Sequence, residues 1–382
     1  MRATYEPWKQ TLDLLKEKDN FRYMRETTAQ DEAWIDYEGK RLLNLSSNDY
    51  LGIAGDQQLM KQFIQEIEAQ KYNISDYSFS SSSSRLLSGN QSPYLALESR
   101  LSELYNKSGA LVFNSGYHAN LGLLSSLVDK GDVIFSDKLN HASIIDGAKL
   151  SDAELIRYKH LDYNHLRILL SKHRSKYNKS IVISESIFSM DGDITNIELL
   201  CDLKDEFNCI IIIDEAHSIG TRGKTGLGLC QEQQVIDRVD IITAPLGKGM
   251  ASVGCFAMMD DTLKSYLINT MRPLIFTTAL PPINIQWSLF VLELILEAKD
   301  RRKQLETITH YVDNELNKRG LTSNSLSNIR PIIIGDNRTS LEVSERVKNN
   351  GIYCLPVRYP TVPKNQARLR LSLTSNITKL CL

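Results

Sequence analysis

At 382 residues and 42% hydrophobic content, the chain is long enough for about two to three domains and a sizeable buried core. Lys+Arg 45 against Asp+Glu 46 leaves a formal charge of −1, which excludes a global attraction to nucleic acid or an anionic membrane and leaves function to local sites. Six scattered cysteines (Cys201, Cys209, Cys230, Cys255, Cys354, Cys381) without a CxxC pair fit free thiols in the cytoplasm better than a disulfide or zinc framework, and neither a bilayer-length apolar stretch nor a signal-like N-terminus is seen.

In chain order, residues 5–18 place Trp8, Leu12 and Leu15 at helical spacing, as in a surface helix. Residues 21–25 (Phe-Arg-Tyr-Met-Arg) read either as a surface strand with snorkelling arginines or as an anion site. Residues 33–45 form a hairpin turning at Glu38-Gly39, and Ser46-Ser47-Asn48-Asp49-Tyr50-Leu51-Gly52 is a polar turn in which Asn48 either satisfies backbone groups or meets a ligand. The serine run 80–84 resembles a linker in composition but lies between helical patterns, so a structured loop is as well supported as a flexible joint.

A helix over 93–105 leads to a strand at 110–113 and then to Asn114-Ser115-Gly116-Tyr117-His118-Ala119-Asn120, an order of strand, small residues and helix start that makes a phosphate seat from backbone N–H groups. Further apolar runs at 132–136, 155–158, 181–183, 210–213 and 240–243 alternate with helical segments, and right-handed crossovers then dictate an α/β fold with a mostly parallel sheet sandwiched by helices. The four isoleucines Ile210 to Ile213 read as its central strand, apolar on both faces. Asp214 and His217 trail that strand, either capping the next helix or serving a site, and His141 likewise follows a strand end. Lys248 stands between Gly247 and Gly249 at the next strand end, with little side-chain crowding around it. Pro273 and Pro281-Pro282 break the chain before a helix at 283–298, after which an α+β tail follows; the domains expected are an arm at 1–45, a large domain at 46–270 and a smaller α+β C-terminal domain at 271–382.

An amine, a strand-end carboxylate and a phosphate seat suit pyridoxal phosphate (PLP), whose ring accepts electrons when its nitrogen is kept protonated. No nucleophile elbow, H-E-x-x-H or Walker motif competes, and the acids of Ser189-Met190-Asp191-Gly192-Asp193 lack the further oxygen ligands that a metal loop needs, so no metal is expected.

Asp214-Glu215-Ala216-His217, the lysine in Thr243-Ala244-Pro245-Leu246-Gly247-Lys248-Gly249, the turn 46–52, Phe188-Ser189-Met190-Asp191-Gly192-Asp193 and Ala367-Arg368-Leu369-Arg370-Leu371 together resemble the α-oxoamine synthases, over about residues 21–374. These are fold-type I PLP enzymes that condense an amino acid with an acyl thioester and release carbon dioxide. The resemblance implies Lys248 as the Schiff-base lysine, Asp214 as partner of the pyridine nitrogen, His217 as donor to the ring hydroxyl, His141 stacked on the ring, and Ser189, Gly116 and Tyr117 as further cofactor contacts. It implies Asn48 and Arg370 at the amino-acid carboxylate, Thr361 at the acyl substrate, and Arg22, with Arg25 as fallback, at the far carboxylate of a pimeloyl chain. Thr277 and Thr278 match a stretch that reaches the partner subunit's phosphate, so a homodimer is implied.

Within the family, Tyr359-Pro360-Thr361-Val362-Pro363, Asn140-His141-Ala142-Ser143 and the short N-terminus are most similar to the member that joins L-alanine to a pimeloyl thioester, carried by CoA or an acyl carrier protein, in biotin synthesis. The alternatives are a 2-amino-3-oxobutyrate ligase, a serine palmitoyltransferase, or a weakly active partner subunit. Three departures frame expectations. Pro245 stands where a phosphate-binding threonine is usual, with Thr243 as the candidate replacement; the serines 80–84 replace a glycine-rich loop, which predicts lost positive φ angles and more mobility; and an end at Leu382, about a helix short of the family's usual end, predicts a weaker small domain.

Overall fold

The computed structural model describes residues 3–29, 33–69, 71, 73–321 and 323–379; Cys381 lies outside them. They group into two compact units, one within 49–189 and 194–303, the other within 3–48, 190–193 and 304–379.

The larger unit is built on a seven-stranded sheet of β1 (Gly109–Phe113), β2 (Val133–Asp137), β3 (Glu154–Tyr158), β4 (Ser180–Glu185), β5 (Ile210–Asp214), β6 (Ile241–Pro245) and β7 (Cys255–Met259). Their spatial order is β1-β7-β6-β5-β4-β2-β3, parallel except at β7, which pairs antiparallel with both β1 and β6. The α/β, mostly parallel fold read from the sequence is therefore present, and β7 is the strand that the reading missed. Its residues Cys255-Phe256-Ala257-Met258-Met259 are all buried but carry no β-branched side chain, so neither propensity nor alternation announced it.

The isoleucines of β5 show why this strand is central. Ile211 and Ile213 enter one apolar cluster and Ile212 the other, on opposite faces of the sheet, and all three have no exposure. Each such side chain contributes about 1.5–3 kcal/mol by leaving water, so the strand is fixed well before any polar group is added. Register then aligns the strand ends: Asp214 on β5 lies opposite Glu185 on β4 and Thr243 on β6.

The serine loop is bonded to distant parts of the chain. Ser81 Oγ donates to Leu280 O at 2.8 Å, Ser84 bridges to Thr278, and Ser82 adopts φ +48° without a glycine, so the expected loss of positive φ does not occur. Just after the loop, Arg85 pairs with Glu98 at 2.6 Å with both side chains nearly buried, and Glu98 also accepts from Val112 N at 2.9 Å. Removing one member of such a buried pair costs about 3–5 kcal/mol.

The smaller unit has two sheets. Trp34–Tyr37 and Lys40–Asn44 form the expected hairpin, extended by Thr28–Ala29 and by Ile352–Tyr353, and Ile329–Gly335 pairs antiparallel with Ala367–Ser372, which in turn pairs with Pro356–Val357. Residues 21–25 form no strand, and the helix Glu6–Glu17 is present with none of its residues buried. Helix Lys299–Lys318, absent from the sequence reading, spans a highly charged segment whose buried stripe is only Leu305, Ile308, Thr309 and Val312. No helix among the described residues is long and apolar enough to cross a membrane. Cys201, Cys209, Cys230, Cys255 and Cys354 are free and buried, and burial raises every one of these thiols above its usual range.

Candidate active site

The larger unit collects chemistry at the carboxyl ends of β4, β5 and β6, where open α/β sheets hold ligands. Lys248 sits half-buried in the turn after β6, its Nζ 2.9 Å from His217 Nε2. The second nitrogen of that imidazole, Nδ1, meets the hydroxyl of the fully buried Tyr50 at 2.5 Å. Of the two glycines flanking the lysine, Gly249 is required by close approach, because a Cβ there would stand 2.4 Å from Ile219 O; Gly247 has room for one.

Asp214 is buried beside this pair. Its Oδ1 accepts from Ala216 N at 2.9 Å, so it does cap the turn, and its Oδ2 accepts from Asn120 Nδ2 at 2.7 Å. Asn120 continues to Ser143 Oγ (3.1 Å), which lies 2.8 Å from His141 Nδ1, while His141 N donates to Glu185 Oε1 at 2.6 Å. A single hydrogen-bonded chain therefore joins the two strand-end carboxylates Asp214 and Glu185 through Asn120, Ser143 and His141. Burial lowers the His141 imidazole below its usual range, against the pull of Asp214. Burial, reinforced by Asp214, raises the Glu185 carboxyl to about 8.

The strand, small residues and helix start read from the sequence at 110–120 are also present. Ser115 caps helix Gly116–Leu127 by accepting from His118 N at 3.2 Å, while the N–H groups of Gly116 and Tyr117 have no partner among the described residues. Pro245 packs against this helix start so closely that a Cβ on Gly116 would stand 2.5 Å from its Cγ. Thr243, two residues earlier on the same face of β6, directs its hydroxyl toward Asn120 Oδ1 at 3.5 Å. The geometry thus puts Thr243 with Asp214 and Asn120, not at the helix start, where the proline offers neither hydroxyl nor N–H. Tyr117 is held outward by a hydrogen bond from its hydroxyl to Asp146. Ser189 is half-buried in the segment that follows β4, and Thr278, exposed next to Thr277, gives its carbonyl to Asn114 Nδ2 at 2.8 Å.

The residues that the motif resemblance assigns to substrate lie in the smaller unit and pair among themselves. Arg370 Nη1 donates to Asn48 Oδ1 at 3.2 Å across 322 positions, and Arg22 Nη2 donates to Thr361 Oγ1 at 2.9 Å across 339. Arg358 donates to the carbonyls of Asp19 and Phe21, the latter at 3.2 Å, and so fixes the segment that carries Arg22. Burial, with Arg22 and Arg25 nearby, lowers the Arg358 guanidinium below its usual range. Neither Arg22 nor Arg358 has a carboxylate partner among the described residues. Arg25 instead stacks on Tyr23, 4.4 Å from the ring centroid.

Tyr50, Asn120, Ser143 and Glu185 were not read as site residues from the sequence. Three of them sit inside motifs singled out there, one helical turn or two residues from a chosen position, and Glu185 shares the strand-end placement that singled out Asp214.

The chain belongs to the aminotransferase class I and II family, whose model matches residues 40–381. Within it, the 8-amino-7-oxononanoate synthase of Chlorobaculum parvum is 43% identical over 363 residues, 95% of this chain and 92% of its own length. The crystal structure of 8-amino-7-oxononanoate synthase from Francisella tularensis superposes with a TM-score of 0.73 at 31% identity, over 88% of this chain and 93% of that one. A high-resolution structure of serine palmitoyltransferase with PLP gives a TM-score of 0.87 at 25% identity, over 99% of this chain and 94% of that one. The resemblance carried by the motifs and these relatives agree on both the fold and the enzyme family.

Proposed function

We propose that this chain is an 8-amino-7-oxononanoate synthase, a PLP-dependent acyltransferase that joins L-alanine to a pimeloyl thioester with loss of carbon dioxide. The observation that carries the reading is the convergence of Lys248, His217 and Asp214 at adjacent strand ends, beside a helix start with two unused N–H groups. An amine, two imidazoles, a buried carboxylate and free backbone donors fit PLP, and the serine palmitoyltransferase relative holds that cofactor. When bound, PLP supplies an electron sink for the pair left as a bond at the amino acid's α-carbon breaks.

The chain's own groups do the rest. Asp214 holds a proton at the pyridine nitrogen, because an ionised acceptor with Oδ2 already oriented by Asn120 stabilises a cation beside it. Lys248 takes and returns the proton at the α-carbon, and His217, fixed by Tyr50, directs Nε2 at the ring hydroxyl. The amides of Gly116 and Tyr117 meet the phosphate at the positive end of their helix, with Thr277 and Thr278 serving the partner subunit's phosphate in a homodimer. Arg370 and Asn48 take the amino-acid carboxylate, and Arg22 with Thr361 takes the far carboxylate of the acyl chain, a charge too costly to leave unpaired. The enzyme works in the cytoplasm on a thioester of CoA or acyl carrier protein.

The test is a panel of amino acids crossed with acyl thioesters, scored for carbon dioxide and ketone product. L-Alanine with pimeloyl thioester is expected to lead. Serine with a long methyl-ended thioester in first place replaces this reading with that of serine palmitoyltransferase, and no product from any pair leaves the partner-subunit reading.

A further inference from the structure

We propose that Asn120 and Ser143 are positioning residues that hold His141 as the neutral tautomer protonated at Nε2, so that the ring meets its ligand as a hydrogen-bond donor and not as a base. The direction of each hydrogen bond follows from the one before it. Asp214 is an acceptor, and with Oδ1 engaged by Ala216 N, its Oδ2 at 2.7 Å must face the amide nitrogen of Asn120. The same orientation puts Asn120 Oδ1 toward the Thr243 hydroxyl at 3.5 Å, which can donate to it.

Asn120 Nδ2 has a second N–H, and it reaches Ser143 Oγ at 3.1 Å. Ser143 therefore accepts from Asn120, and its own proton is left for the neighbour on its other side, His141 Nδ1 at 2.8 Å. The backbone N–H of Ser143 points at the same nitrogen from 3.2 Å. Two donors converging on Nδ1 require its lone pair, and a neutral imidazole then carries its proton on Nε2. A proton on Nδ1 would leave the Ser143 N–H facing another N–H and reverse the serine hydroxyl away from its direction.

The ring's other determinants agree. Its main-chain N–H is fixed by Glu185 Oε1 on β4, and its Nε2 has no partner among the described residues. The charged groups facing it are Asp214 on β5 and Asp146 on its own helix, which favour the imidazolium, and Lys248 after β6, which opposes it; burial outweighs the carboxylates and keeps the ring neutral. The protonation is a matter of this geometry alone, whereas what the donor does for a substrate rests on the function proposed above.

The experiment is 15N spectroscopy of the holoenzyme labelled at its seven histidines, with His141→Gln to assign the ring, set beside the pH profile of kcat/KM. The parent is expected to show an unprotonated Nδ1 and a protonated Nε2 at His141. Ser143→Ala removes the donor that favours the neutral ring, so a second tautomer appears, the acid limb of the profile moves to higher pH, and kcat/KM falls about three- to tenfold; Ser143→Thr restores all three. A protonated Nδ1 in the parent overturns the proposal, as does a Ser143→Ala variant with the parent's tautomer and profile. The spectrum needs no acyl substrate, so a failed acyl assignment with the Nε2–H tautomer in place counts against the function and not against this inference.

Discussion

The cluster at the strand ends of the larger unit and the arginine pairs of the smaller unit are built in opposite ways. In the first, Asp214, Glu185 and Thr243 are buried and lie side by side because the pairing of three adjacent strands sets them opposite one another, so the sheet register positions the chemistry. In the second, Arg22 and Thr361 are exposed and Asn48 is half-buried, all three outside any helix or strand, while Arg370 is buried on the strand Ala367–Ser372, and hydrogen bonds join them in pairs across more than three hundred positions. The difference teaches where tolerance lies: a group locked by the core supports chemistry common to a whole family, while a charge on a turn can be exchanged to change the substrate at little cost to folding.

Substitutions that break the first cluster are therefore expected to remove the reaction, and those in the second to redirect it. The largest effect belongs to Lys248→Ala. It takes away the amine that would both anchor the cofactor and move the α-proton, and product assays are expected to find no turnover above the uncatalysed rate. Normal turnover there removes the lysine from the chemistry altogether.

Asp214→Asn comes next. A neutral amide cannot balance a charged ring nitrogen, and the lost charge-assisted bond of about 3 kcal/mol corresponds to a fall of about a hundredfold in kcat. Because Asp214 also caps its turn through Ala216 N, a thermal melt run alongside separates the two roles. A large loss of stability with kcat intact makes Asp214 a cap only.

Glu185→Gln sharpens the comparison at its smallest scale, in stability and not in rate. Burial and Asp214 raise this carboxyl to about 8 in the folded chain, against about 4.5 when unfolded. The folded state then holds a proton that the unfolded state releases, so stability falls as pH rises from about 4.5 to 8, fully retained below that window. The glutamine variant does not titrate, and its melting temperature is expected to decline less across the same range. Equal slopes in the two proteins assign the decline to other groups.

How much of this was legible in the sequence follows the same division. Four consecutive isoleucines announce a strand covered on both faces, and Asp214 at their end is a local signal, as is Lys248 between two glycines. Glu185 carried a similar signal, but it ends Ser180–Glu185, a strand with serines at both ends of its apolar stretch, and the sequence reading did not single it out. Strand β7 was hidden because cysteine, alanine and methionine favour no strand by themselves; its pairing with β1 and β6 decides it. Nothing local predicts that Arg22 meets Thr361 or that Arg370 meets Asn48, since such pairs exist only once the smaller unit has folded; there the motif resemblance supplied the residues and the structure supplied the partners. The contacts of the serine loop are not legible in its composition, because they are made with Leu280 and Thr278, nearly two hundred positions away.

The proposed role of Arg22, to direct the enzyme to a dicarboxylic acyl chain, is tested by kcat/KM for pimeloyl thioester against a methyl-ended thioester of equal length, in the parent and in Arg22→Ala. The parent is expected to favour the pimeloyl chain, and the variant's KM for it to rise about ten- to a hundredfold, the equivalent of ~1.5–3 kcal/mol for a charge-assisted pair, with the methyl-ended chain hardly affected. A parent that prefers the methyl-ended chain, or a variant that weakens both alike, contradicts it.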